Sequence, residues 1–116
     1  MVVARAIWLF VSNAVWRVAG LRTAGSVLVR ALGSEDETTR TIAGMLLVRA
    51  GKKSEPVLQE ALDTRENLPM VLTVIGSLGD SKFEPELRRF SRDGDPDVAK
   101  AAKDALQIIE AHQTLP

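Results

Sequence analysis

The chain contains no cysteine and no tyrosine, only one histidine, and no uncharged run longer than a dozen or so residues. Each shortage removes a class of function. Without cysteine there is no disulfide framework, no thiolate nucleophile and no zinc site of the usual cysteine-containing kind, which fits a reducing, cytoplasmic setting. The aromatic share of 4% means that any core is built from Ala, Leu, Val and Ile, the palette of packed helices. The uncharged stretch from Ala6 to Trp16 has 11 residues, interrupted by Ser12 and Asn13, against roughly 20 needed to span a bilayer. A cleaved signal peptide is also not expected, since its removal would delete a helix that the repeat pattern uses.

Chemistry-bearing motifs are scarce as well. Glycine-rich phosphate loops, nucleophile elbows and paired metal-ligand motifs are absent from the sequence. His112, the single histidine, falls at the C-terminal end of the last predicted helix, where a cation-capable side chain is favoured by the helix dipole. Asp93, Asp95 and Asp97 around Gly94 superficially resemble a calcium loop. The later glutamate ligand is missing, however, and the segment runs straight into a helix, so helix capping accounts better for these acids. The sequence therefore predicts no enzyme activity, no cofactor and no metal.

What is present is a repeat. The apolar frame Ala43, Leu46, Leu47 and Ala50 recurs 28 residues later as Val71, Val74, Ile75 and Leu78, and 31 further on as Ala102, Ala105, Leu106 and Ile109. A step of 31 backwards gives Ser12, Val15, Trp16 and Ala19. A second frame alternates with the first: Val27, Leu28, Ala31, Leu32; then Val57, Leu58, Ala61, Leu62; then Glu86, Leu87, Phe90, Ser91. Offsets of three and four place each set on one face of a helix, and a period of two never appears.

Punctuation agrees with the frames. Gly20, Gly51 and Gly79 each follow a first helix, where a left-handed C-cap favours glycine. Ser34 with Glu37 and Ser81 with Glu84 have capping-box spacing, and Asp95 precedes a proline suited to the first helical position. The pattern predicts helices over 3–19, 22–32, 36–50, 54–62, 68–78, 82–91 and 96–111, in a single domain spanning 1–116. The fold class is all-α, an α-solenoid of about three and a half antiparallel hairpins, with Leu47, Ile75 and Leu106 as its costliest core positions.

The segment Asp93 to Gln107, through its Asp95-Pro96 step, Val98, Ala102, Ala105 and Leu106, resembles a HEAT-repeat start of the bacterial, phycobilisome-lyase-like kind. Thr39-Arg40 through Gly51, and Leu78-Gly79-Asp80 with Glu84-Pro85 and Leu87, resemble degenerate copies of the same unit. The resemblance covers residues 34–111 and implies a binding surface, not a chemistry, because such repeats serve many unrelated functions.

Two surfaces are candidates for that binding. The C-terminal helix has the polar outer face of a terminal repeat, with Lys100, Lys103, Asp104, Gln107 and Glu110 opposite a narrow apolar stripe. The N-terminal helix does not. Val3, Ile7, Trp8, Phe10, Val11, Ala14 and Val18 give it apolar surface beyond what one neighbouring helix covers. Three coverings are open: burial within the chain, a second copy or another protein, with Trp8 and Phe10 as anchors, or a membrane surface favoured by two Arg, both Trp and no acid. Homo-oligomerisation is the leading expectation.

The second surface is the concave face, lined by second helices, where Arg30, Gln59, Glu60, Arg88 and Arg89 carry mixed charge. Net charge is zero overall, although four arginines precede the first acid, Glu35, and 11 basic residues face 15 acidic ones from there on. Glu60 takes the place equivalent to Arg30 and Arg89, which breaks the broad basic stripe that phosphate binding needs. The expected partner is a protein or peptide rather than nucleic acid.

Overall fold

A computed structural model describes residues 22–114, and every described element is a helix or a turn. The predicted helix over 3–19 lies outside the described residues, as does its C-terminal Gly20. Six α-helices follow in order: α1 (Arg22–Ala31), α2 (Glu37–Ala50), α3 (Glu55–Thr64), α4 (Leu68–Leu78), α5 (Glu84–Phe90) and α6 (Pro96–Thr114). Short 3₁₀ turns, Gly51–Ser54 and Ser81–Phe83, lead into α3 and α5. The backbone divides into two compact units that meet in sequence at Asn67 and Leu68.

In the first unit, α1 packs on both α2 and α3. A Cβ on Gly25 of α1 would lie 3.1 Å from Val57 near the start of α3. At the other end of α1, Asn67, just past α3, donates from Nδ2 to the Val29 carbonyl at 3.1 Å. These two contacts make α1 and α3 parallel neighbours. Leu28 and Val29 of α1, Leu32 just past its end, Ala43 and Leu47 of α2, and Leu58 and Leu62 of α3 are all buried.

The second unit repeats the arrangement. Gly76 of α4 abuts Ala105 of α6 so closely that a Cβ there would stand 2.9 Å from the Ala105 Cα, and Gly79 faces His112. Early residues of α4 meet early residues of α6, so these two helices also run side by side and parallel. The intervening α5 runs the other way: Glu84 at its start reaches Gln113 and Arg88 near its end reaches Glu110, both on α6. Ile75, Phe83, Leu87, Ala102 and Ile109 are buried here.

Helix starts follow local chemistry, with two corrections. Asp36, not Ser34, caps α2: its carboxylate accepts from Thr39 N at 3.2 Å and from the Thr39 hydroxyl, while Ser34 Oγ accepts from Asp36 N. A charged acceptor one residue before the helix outcompetes a hydroxyl two residues further back, and Glu37 becomes the first helical residue. Likewise Asp80, not Ser81, caps the chain into α5, because a 3₁₀ turn intervenes between cap and helix. Asp95 behaves as its sequence predicts, accepting from Asp97 N at 2.9 Å at the start of α6, and Asp93 accepts in turn from Asp95 N. Gly51 and Gly79 close α2 and α4 at φ +60° and +68°.

Among the core expectations, Leu47 and Ile75 are completely buried, but Leu106 is only half-buried. Val98, Ala102, Ala105 and Ile109 form the inward line of α6. Leu106 follows Ala105 by one residue, about 100° further round the helix, and falls on the flank. Similarly Val27 and Ala31 are half-buried and Val29 takes the inward place on α1.

Candidate functional site

The two surfaces that the sequence singles out fare differently. Val3, Ile7, Trp8, Phe10, Val11 and Ala14 lie outside the described residues. Of the concave-face set, Arg30 of α1 and Glu60 of α3 are exposed in the first unit, and Arg88 and Arg89 of α5 are exposed in the second. Gln59 is half-buried and donates from Nε2 to Asp63 Oδ1 at 3.1 Å, one turn along α3. All five sit on the helices of the second frame, as the alternation requires.

Their charges are locally answered. Arg88 lies 3.5 Å from Glu84 and 3.9 Å from Glu110, and Arg89 lies 3.8 Å from Glu86, with its guanidinium 5.2 Å over the Phe90 ring. Three carboxylates therefore surround two guanidinium groups on α5 and the adjoining edge of α6. Exposed pairs of this kind contribute about 0–1 kcal/mol each to stability. Their consequence is electrostatic: this patch presents alternating sign over a few ångströms, which disfavours a polyanion and suits a partner with alternating charge of its own.

A groove unforeseen in the sequence runs between the parallel helices of the second unit. Pro69, Met70 and Thr73 of α4 form one wall; Asp97, Lys100, Ala101 and Asp104 of α6 form the other, around an open volume of about 330 Å³. Pro69, Met70 and Ala101 are half-buried and supply an apolar floor. Lys100 Nζ holds Asp104 Oδ2 at 2.7 Å, and this hydrogen bond together with the attraction of the carboxylate raises the lysine pKa above its ordinary value. Asp97 has no side-chain partner among the described residues. No signal in the sequence marks the groove, because its walls come from helices one repeat apart and its acids read as ordinary solvated residues.

Two large apolar side chains stand exposed among the described residues: Met45 on α2, at 62%, and Ile108 on α6, at 40%. The sequence placed neither in a frame, in keeping with their outward positions. No group of three or more His, Asp or Glu among the described residues is arranged to hold a metal ion. No described helix is long and apolar enough to cross a membrane. His112 Nδ1 lies 2.8 Å from the Ile108 carbonyl, the contact of a ring that donates back to the preceding turn near a helix C-terminus.

Comparisons with known proteins leave this geometry to speak for itself: no family model, no curated protein and no solved structure matches the chain.

Proposed function

We propose that this chain is a non-catalytic protein-interaction module, an α-solenoid of HEAT-like hairpins that self-associates through its apolar N-terminal helix. The observation that supports this reading is the parallel pairing of helices two apart, α1 with α3 and α4 with α6, at steps of about thirty residues. A hairpin of this size cannot bury its apolar stripe alone, and stacking on the next one supplies the missing cover. The sequence offers Val3, Ile7, Trp8, Phe10, Val11 and Ala14 as the apolar side chains for such a contact, with Trp8 and Phe10 as anchors of the kind that dominate interface energetics. Arg30, Gln59 and Glu60 in the first unit, and Arg88 and Arg89 in the second, provide polar surface for a protein or peptide, the mixed sign of the latter supported by the Arg88 and Arg89 ion pairs.

Light scattering on the intact chain and on a Phe10→Asp variant, without detergent, tests the reading. The expected result is a lower molar mass in the variant than in the intact chain, with helicity by circular dichroism unchanged. An equal mass in both removes self-association through this helix. Flotation with anionic vesicles provides the counter-test: the chain should stay in solution, and recovery with the lipid would replace the interaction reading by that of a peripheral membrane adaptor.

A further inference from the structure

The two exposed large apolar side chains sit in surroundings of opposite charge. Met45 projects from the outer face of α2 with half-buried Ile42 on one side and exposed Arg49 on the other, and exposed Lys52 follows in the next turn. Residues three and four apart share a helix face, so Ile42, Met45 and Arg49 form one stripe, apolar at its start and basic at its end. Ile108 lies on the α6 stripe that also carries Asp97, Ala101 and Asp104, spaced by three or four throughout. That stripe is one wall of the α4–α6 groove, so Ile108 extends the apolar floor of Met70 and Ala101 beyond the groove's end.

The two surfaces match in sign. From Ile42 to Arg49 the first stripe covers about 10 Å, and the acceptor stripe from Asp97 to Ile108, at about 16 Å, is long enough to receive it at 1.5 Å per residue. The basic end of the first carries Arg49 and Lys52. The groove carries Asp97 and Asp104 against Lys100, and because Lys100 is drawn onto Asp104, the carboxylate left for a partner is that of Asp97. From this complementarity we infer that α2 of one copy seats its Met45 stripe in the α4–α6 groove of a second copy. In this seating the helices run antiparallel: Arg49 and Lys52 meet Asp97, Met45 covers Met70 and Ala101, and Ile42 lies over the Asp104 turn, one turn short of Ile108.

The contact is heterologous, because donor stripe and acceptor groove are different surfaces of the same chain. Each copy in a pair keeps one free surface of the other kind, so assembly continues head to tail unless a ring closes. This contact does not involve residues 3–14 and is independent of the N-terminal interface proposed above.

The absence of native cysteine makes the test specific. Met45→Cys and Ile108→Cys variants are prepared separately and treated with a bis-maleimide cross-linker, alone and as a one-to-one mixture. The mixture should give a covalent dimer and nothing larger, while each variant alone stays monomeric on a denaturing gel. Adding Arg49→Glu to the Met45→Cys partner should lower the dimer yield about tenfold or more, as expected for like charges brought together. Asp97→Lys in the Ile108→Cys partner should restore it. Phe10→Asp should leave the cross-link intact. No dimer in the mixture overturns the inference, as does equal dimer from either variant alone, which would mark a symmetric contact, or a yield indifferent to Arg49→Glu.

Discussion

Arg65 closes α3 in the left-handed region, at φ 59°. The Glu66 amide bonds back to the Ala61 carbonyl and the Arg65 amide to that of Leu62, the paired bonds of a Schellman ending. A side chain in this conformation costs roughly 1–2 kcal/mol relative to the right-handed one, part of which glycine would return as unfolded-state entropy. Arg65→Gly should therefore stabilise the chain by about 0.5–1 kcal/mol, read as a higher urea midpoint at unchanged slope. Asn67, also at positive φ, has a different reason for its identity. Its amide reaches the Val29 carbonyl across the gap left by Gly33, where a Cβ would stand 2.5 Å from Asn67 Oδ1. Gly33→Ala should cost about 1–2 kcal/mol by crowding this amide, and should cost measurably less in an Asn67→Gly background. A double-mutant cycle by chemical denaturation gives the coupling, and strictly additive effects would contradict the contact.

At the scale of the helix pair, close approach is what the glycine of α4 provides. Gly76 is buried in mid-helix, where alanine would be worth about 1 kcal/mol more in propensity alone. The opposing atoms are the Cα and Cβ of Ala105, which cannot swing aside as a long side chain would. Gly76→Ala should destabilise by about 1–3 kcal/mol through separation of α4 from α6. The exposed neighbour Ser77→Ala should be neutral or slightly stabilising, and thermal melts of the two variants side by side distinguish packing from propensity. Helix positions were legible in the sequence because a stripe repeating at three and four residues admits one phase, and because Pro69 and Pro96 fall in the first turns of α4 and α6. Caps were less legible. Ser34 and Asp36 both offer an acceptor within two residues, and which of them caps depends on where the first helical residue falls. Phe83 was missed for a related reason: it is buried from a 3₁₀ turn before α5, where no helical period brings it into the count. The α4–α6 groove was invisible, since it depends on which helices become neighbours rather than on any one of them.

For the molecule as a whole, the question is how far the loss of one core position spreads. Leu47 is fully buried on α2, and an aspartate there would carry a carboxylate out of water. The cost is several kcal/mol for an unpaired buried charge, added to the lost packing of a leucine at about 2–5 kcal/mol. A chain of this size has a total stability of about 5–15 kcal/mol, so Leu47→Asp should unfold the first unit. The second unit, from Leu68 onward, has its own buried set in Ile75, Leu87, Ala102 and Ile109. Yet a unit of fewer than about 60 residues, with no cysteine to form a disulfide, is marginal on the scaling of buried surface with length. The expected outcome is therefore loss of slow amide exchange throughout residues 22–114 in Leu47→Asp, with one cooperative transition in the parent chain. The measurement is residue-resolved hydrogen exchange on both proteins. Persistent protection confined to Leu68–Thr114 would instead make the second unit an independent folding domain, with the single-domain expectation set aside and the α4–α6 groove available on a fragment half the length of the chain.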